Sequence, residues 1–295
     1  LLIGYAIGYF VSSLAMIVAT KAWQDFGKGY ISVTSFKEIV SYSAPLIPNS
    51  ISWWIANVSD RTIVNIFIGS AANGIYAIAN KIPSICTSLF SVFHLSWQQT
   101  AVESINDTDK QAYFNSVYNR TNKVLVSICT VILSTNIILF EFVFDQKYDT
   151  AQYHVPILMT AIIFSFLAQF IGGIFIGFQD TKINGATTVI AAVLNIIIHL
   201  ALIKYIGLYA ASISTLVSYV VLYFIRIIVI QKYVKIKIDR QTVLSWVVYS
   251  ACLVVQYSGI SLLKYIFIVI SASFFVMTNK ELVFRYAKKL INIRH

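Results

Sequence analysis

Charged side chains are scarce in this chain: Asp, Glu, Lys and Arg make up 12% of its 295 residues, about half the share carried by soluble domains. With 58% hydrophobic residues and a mean hydropathy of +0.76, that scarcity excludes a soluble globular protein and leaves an all-α polytopic membrane protein. Cysteine is nearly absent too. Cys86, Cys129 and Cys252 lie far apart, each in or beside an apolar run, and read as small buried hydrophobes that imply no disulfide framework or metal cluster. No Walker loop, HExxH or glycine-rich dinucleotide turn occurs, and no stretch is long and polar enough to house a catalytic domain. The reading is of a protein that is not an enzyme and holds no cofactor. Lysine and arginine outnumber acids by 22 to 12, but they are spread through short connections and the tail rather than gathered in a patch, so nucleic acid is not an expected partner.

What is present is apolar sequence in lengths that cross a bilayer, about 17 to 25 residues each. About nine such runs fall near 1–20, 43–68, 80–101, 122–144, 153–177, 184–203, 207–231, 242–258 and 259–278. All but five of the 22 cations fall on alternate connections, and Arg226 is counted among them; the exceptions are Arg61, Lys81, Lys147, Lys204 and Lys264. The positive-inside rule places the majority in the cytoplasm, with the first helix starting outside and the C-terminus inside. A chain that opens on Leu1 in apolar sequence, outside, reads as a fragment lacking an odd number of N-terminal helices. The stretch from Lys21 to Glu38 mixes aromatics with polar residues, as a cytoplasmic interfacial linker does. The last two runs carry almost no interior polar groups and read as peripheral.

One stretch is costly. Ser41 to Ser70 reads SYSAPLIPNSISWWIANVSDRTIVNIFIGS, and inside it Asn49, Trp53, Asn57, Arg61 and Asn65 recur at i, i+4 with Asp60 beside them. An ionisable group within the hydrocarbon costs about 2.5 to 3.5 kcal/mol even on lenient scales, so these side chains face protein or water. Asp60 and Arg61 are neighbours and point different ways, each toward another helix or a wet cavity. The stripe is either a polar translocation surface or packing satisfied by adjacent helices. Lys81, at a helix start beside Pro83, is a snorkelling anchor or a cation offered to an anionic head group. His94 and Gln98 share a face at i, i+4 and either meet hydroxyl-rich cargo or cap a helix end. Gln169 lies deep in the fifth run, just before Gly172, and Gly173 and Gly177 have the spacing that lets helix backbones approach. Asn195 and His199 also share a face, with His199 read as structural, and the hydroxyls of Ser212, Ser214, Thr215 and Ser218 read as tight packing.

The segment SYSAPLIPNSISWWIANVSDRTIVNIFIG, followed by GIYAIANKIP and then SWQQ, resembles in order and spacing the bacterial polysaccharide flippases of the multidrug/oligosaccharidyl-lipid/polysaccharide exporter superfamily. Gly207 to Thr215 resembles the opening of a late helix there, with Ala210 where a second glycine is common; beyond Arg240 the likeness is of topology only. The resemblance implies a MATE-like fold of two facing six-helix bundles. On that template residues 1–20 are the last helix of the first bundle and 21–40 the linker. Residues 41–235 are the whole second bundle, 242–278 two appended helices and 279–295 a basic cytoplasmic tail.

It also implies a function: turning over an isoprenoid-diphosphate-linked oligosaccharide repeat unit across the bacterial cytoplasmic membrane as the bundles rock. Arg61 and Lys81 would then attract diphosphate; Asn57, Asn65, His94, Gln98 and Gln169 would meet sugar hydroxyls; Asp60 would orient a cation or couple transport to H+ or Na+. The implied partners are the lipid-linked oligosaccharide, membrane lipid and other polysaccharide-assembly proteins. Competing readings are a cation-coupled drug exporter or a peptidoglycan-precursor flippase of the same fold, and a membrane-embedded glycan polymerase, which would need a large outer loop that is missing here.

Overall fold

The structure, a computed structural model, describes residues 2–24, 32–44, 46–281 and 284. Residues 25–31 of the expected linker and most of the expected basic tail therefore lie outside the described residues, as does the side chain of Asn57. Among the described residues there are twelve α-helices and no strand. They are α1 (Leu2–Thr20), α2 (Val33–Ser43), α3 (Leu46–Phe67), α4 (Ser70–Ala79), α5 (Lys81–Glu103), α6 (Lys110–Ser134), α7 (Asn136–Phe142), α8 (Val155–Gly177), α9 (Thr181–Ile206), α10 (Tyr209–Ile230), α11 (Arg240–Tyr257) and α12 (Ser261–Thr278). Among the described residues five spans are long and apolar enough to cross a membrane: α6 continued by α7, then α8, α9, α10 and α12. The helices α3, α5 and α11 match them in length, at 22, 23 and 18 residues, but carry more polar side chains.

The chain divides into two units, Leu1–Ala44 and Pro45–His295. In the first, the described side chains of α1 and α2 are exposed, and Ser32 caps α2 by accepting from the backbone N–H of Ser35 at 2.9 Å. In the second, α8 is the central element, in contact with α5, α6, α9 and α10, while α3 lies along α9 and both α11 and α12 lie along α6.

Small residues set the α5–α8 approach. Trp97 stacks on Phe170, with ring centroids 4.0 Å apart and planes 11° from parallel, and its Nε1 donates to the Phe170 carbonyl at 2.8 Å. A Cβ on Gly173 would lie 2.9 Å from that indole, and one on Gly177 would lie 3.0 Å from the Ala101 carbonyl oxygen. The rigid, hydrogen-bonded indole has nowhere to go, so Gly173→Val is expected to destabilise the protein by about 1 to 3 kcal/mol. A thermal melt of the detergent-purified protein measures it; an unchanged Tm would mean that α5 and α8 separate freely.

The polar stretch from Glu103 to Asn122 is largely the start of α6, which begins at Lys110. It carries an amide ladder. Gln111, Asn115 and Asn119, spaced i, i+4, i+8, meet alternate residues of the connection between α10 and α11. Gln111 donates to the Lys235 carbonyl and accepts from its N–H, at 2.6 and 2.9 Å. Asn115 accepts from the Lys237 N–H at 2.7 Å. Asn119 donates to the Lys237 carbonyl and accepts from the Asp239 N–H, at 2.7 and 2.9 Å. Four helical residues rise about 6.0 Å and two extended ones about 6.6 Å, so the two repeats stay in step.

The expectation that the last two helices lack interior polar groups is corrected. Trp246 donates to Asn122 at 3.1 Å, Gln256 to the Leu133 carbonyl at 3.0 Å and Asn279 to Ser127 at 3.0 Å, while the Ser134 and Ser271 hydroxyls lie 2.8 Å apart. These bonds run along the second half of α6.

Candidate functional site

Asp60 is buried where α3, α4, α9 and α10 meet. The geometry follows from helical spacing: one residue after Asp60 the chain has turned about 100°, so Arg61 is exposed while its neighbour faces the bundle. The carboxylate is fully engaged. Thr215 Oγ1 donates to Oδ2 at 2.7 Å, Tyr76 OH donates to the same oxygen at 3.3 Å, and His199 Nδ1 lies 3.1 Å from Oδ1. Turned so that its nitrogen faces Oδ1 at 3.2 Å, the Asn195 amide also accepts from the Thr215 backbone N–H at 3.3 Å. Facing a carboxylate, Nδ1 of His199 carries the hydrogen. The other ring nitrogen, Nε2, is enclosed with no hydrogen-bond partner among the described residues.

A cavity of about 90 Å³ opens beside this cluster, lined by Asp60, Arg61, Tyr76, Asn80, Thr215 and Tyr219 among others. Adjacent to it, sharing Ile162 as a wall, is a second cavity of about 60 Å³ that holds His94, Gln169, Ser165 and Thr87. There His94 Nε2 faces the Gln169 carbonyl at 3.3 Å, and the Gln169 amide donates to Ser165 at 3.2 Å.

The residues singled out in the sequence therefore separate. Asp60 and Arg61 share one cavity and His94 and Gln169 the next. Gln98 is half-buried at the α5–α8 contact beside Gly173, and Asn65 and Lys81 are exposed away from both cavities. Asn49, the first member of the stripe, is a packing residue: its Oδ1 accepts from Thr188 at 2.6 Å.

Two things escaped the sequence reading. His199, taken as structural, is the partner of Asp60 across 139 residues, and Thr215, taken as a packing hydroxyl, is its shortest contact. The second is Arg226, counted above among the cytoplasmic cations. It is instead 1% exposed inside the bundle. Its Nη1 donates to the Ala168 carbonyl at 2.7 Å, its Nη2 to the Asn184 carbonyl and Thr188 at 2.9 and 2.8 Å, and its Nε to Thr187 at 3.0 Å. A Cβ on Gly172 would lie 2.8 Å from Nη1, so the missing side chain there makes room for the guanidinium. The readable signal was Asn184, Thr187 and Thr188 on one helix opposite a glycine on another.

An all-helical bundle with membrane-length spans and a buried polar cluster defines a multi-pass membrane protein. Residues 1–97 match the family model of polysaccharide biosynthesis proteins. Among solved structures, the lipid II flippase MurJ in its inward closed conformation matches with a TM-score of 0.58 and 16% identity, a likeness of fold. That match covers 94% of this chain and 62% of MurJ, so this chain corresponds to less than two thirds of that structure. No curated protein matches the sequence.

Proposed function

We propose that the protein is a flippase that moves an isoprenoid-diphosphate-linked oligosaccharide repeat unit across the bacterial cytoplasmic membrane for surface polysaccharide synthesis. The observation that carries this reading is a carboxylate, Asp60, buried in the membrane bundle within the segment that matches polysaccharide biosynthesis proteins. In this reading residues 41–235 form one six-helix half, residues 1–20 end the other, and the tail is cytoplasmic. The halves rock about a central path. Arg61, exposed at the mouth of the Asp60 cavity, meets the diphosphate, and His94 and Gln169 meet sugar hydroxyls.

Asp60 and His199 supply the coupling, with a proton rather than sodium as the ion. A hard cation gathers several oxygen ligands, whereas the oxygens of Asp60 already face hydroxyl donors and an imidazole. A proton added at the enclosed Nε2 would be an N–H without an acceptor, which favours a different packing. The other titratable groups around the cavity are Tyr76, Tyr219 and Arg61.

A second reading, flipping of a peptidoglycan precursor, is favoured by the MurJ-like fold. Complementation separates the two. The protein is expressed in a strain lacking its polysaccharide flippase and, separately, in one depleted of its lipid II flippase. Restored surface polymer in the first supports the proposal, and restored growth in the second supports the alternative. Arg61→Ala is expected to abolish export while the protein reaches the membrane at normal level; normal export would return Arg61 to an interfacial role.

A further inference from the structure

We propose that the pocket between α6, α11 and α12 binds the headgroup of an anionic diacyl phospholipid. Its volume is about 480 Å³, within the roughly 300 to 1,000 Å³ typical of small-ligand sites. It is lined by different helices from the Asp60 cavity. Three cations line it, Arg120, Lys123 and Lys280, against one acid, Glu281. Among the described residues none of the three has a carboxylate within 4.0 Å. Lys123 donates to the neutral amide of Gln241 at 2.9 Å, which leaves its charge uncompensated.

The level of the pocket identifies the ligand. Gln241 lies in the first turn of α11, whose chain direction brings backbone N–H groups toward that end, and Thr278 is the last residue of α12. Two helices of membrane-spanning length, one of them among the apolar spans, thus end at the pocket, which is where a bilayer has its phosphates. Away from the cations the walls turn apolar, with Leu244, Phe274 and Met277. The outer faces of α11 and α12 continue that surface: Val247 is 57% exposed, Val254 73% and Ile270 48%. A phosphate held by Arg120, Lys123 and Lys280 therefore has its acyl chains laid along α11 and α12. A free phosphate would use the cations and leave the apolar wall uncovered. The inference does not depend on which cargo the protein carries.

Native mass spectrometry of the detergent-purified protein tests it, with phosphatidylglycerol, phosphatidylcholine, inorganic phosphate and an isoprenyl diphosphate as separate probes. Each basic side chain near a membrane surface contributes about fivefold to binding of anionic lipid, so removing three predicts a loss on the order of 100-fold. The expected result is retention of phosphatidylglycerol over phosphatidylcholine, lost in the Arg120→Gln, Lys123→Gln, Lys280→Gln variant. Leu244→Trp, which fills the apolar wall and leaves every charge, is expected to weaken phosphatidylglycerol as well; it serves as the test if the triple variant does not fold. Unchanged phosphatidylglycerol binding in a folded variant overturns the proposal. So does displacement by millimolar inorganic phosphate, which would make this a site for free anion, or loss of isoprenyl diphosphate binding alone, which would make it part of the cargo path.

Discussion

With the proposed transport role, Asp60→Asn is expected to leave the protein folded and in the membrane and to lower export at least about tenfold, the effect of a 1.4 kcal/mol change in a coupling equilibrium. The substitution keeps the shape of the side chain. Thr215 and Tyr76 still find an oxygen to donate to, since both now bond Oδ2. The third contact fails. A carboxamide nitrogen opposite His199 Nδ1 sets two donors face to face, and the imidazole escapes only by moving its hydrogen to Nε2, which has no acceptor among the described residues. An unpaired buried donor costs about 1 to 3 kcal/mol, enough to shift the balance between two packings without unfolding either. The measurement is cargo or polymer export at matched membrane levels, with a detergent melt as the control for folding. Export equal to wild type would leave the cluster as packing and remove the case for coupling.

Arg226→Ala is expected to destabilise the protein by on the order of 3 kcal/mol, through both the void it leaves and the acceptors it abandons. The side chain is the largest of the fully buried set, and its donors tie three helices together: Ala168 on α8, Asn184, Thr187 and Thr188 on α9, and its own α10. Thr188 carries the link on to Asn49 of α3. Among the described residues no carboxylate lies within 4.0 Å of the guanidinium, so its charge is held by carbonyl and hydroxyl dipoles alone. Arg226→Lys is expected to rescue little, because an ammonium on a narrower stem does not reach acceptors spread around a planar fork. Thermal melts of the two variants decide. If lysine restores the wild-type Tm, charge matters there rather than the fork.

Helix identity was legible because apolar length is written locally. Each apolar run corresponds to one helix or a broken pair, and the bend at Ser258 and Gly259 falls between α11 and α12, at the boundary of the runs 242–258 and 259–278. The opposed directions of Asp60 and Arg61 were legible for the same reason, since neighbouring residues on a helix diverge. What no local pattern carries is which helix faces which. Asp60 and His199 each announced a polar face, yet their meeting depends on α3 lying along α9, a pairing that periodicity does not encode. Arg226 went astray by a related route: near the end of an apolar run it resembles a loop cation, and the positive-inside rule reads position along the chain, not depth within a bundle.

The ladder on α6 also limits how α11 and α12 can move. Its two repeats differ by about 0.6 Å per step, which three rungs tolerate and a much longer run would not. Within that tolerance the connection behaves as a toothed rack, seated or unseated, because half a step brings side chains where peptide groups must be. The α11–α12 pair can therefore change its seat on α6 only by disengaging and catching again one tooth along, never by gliding.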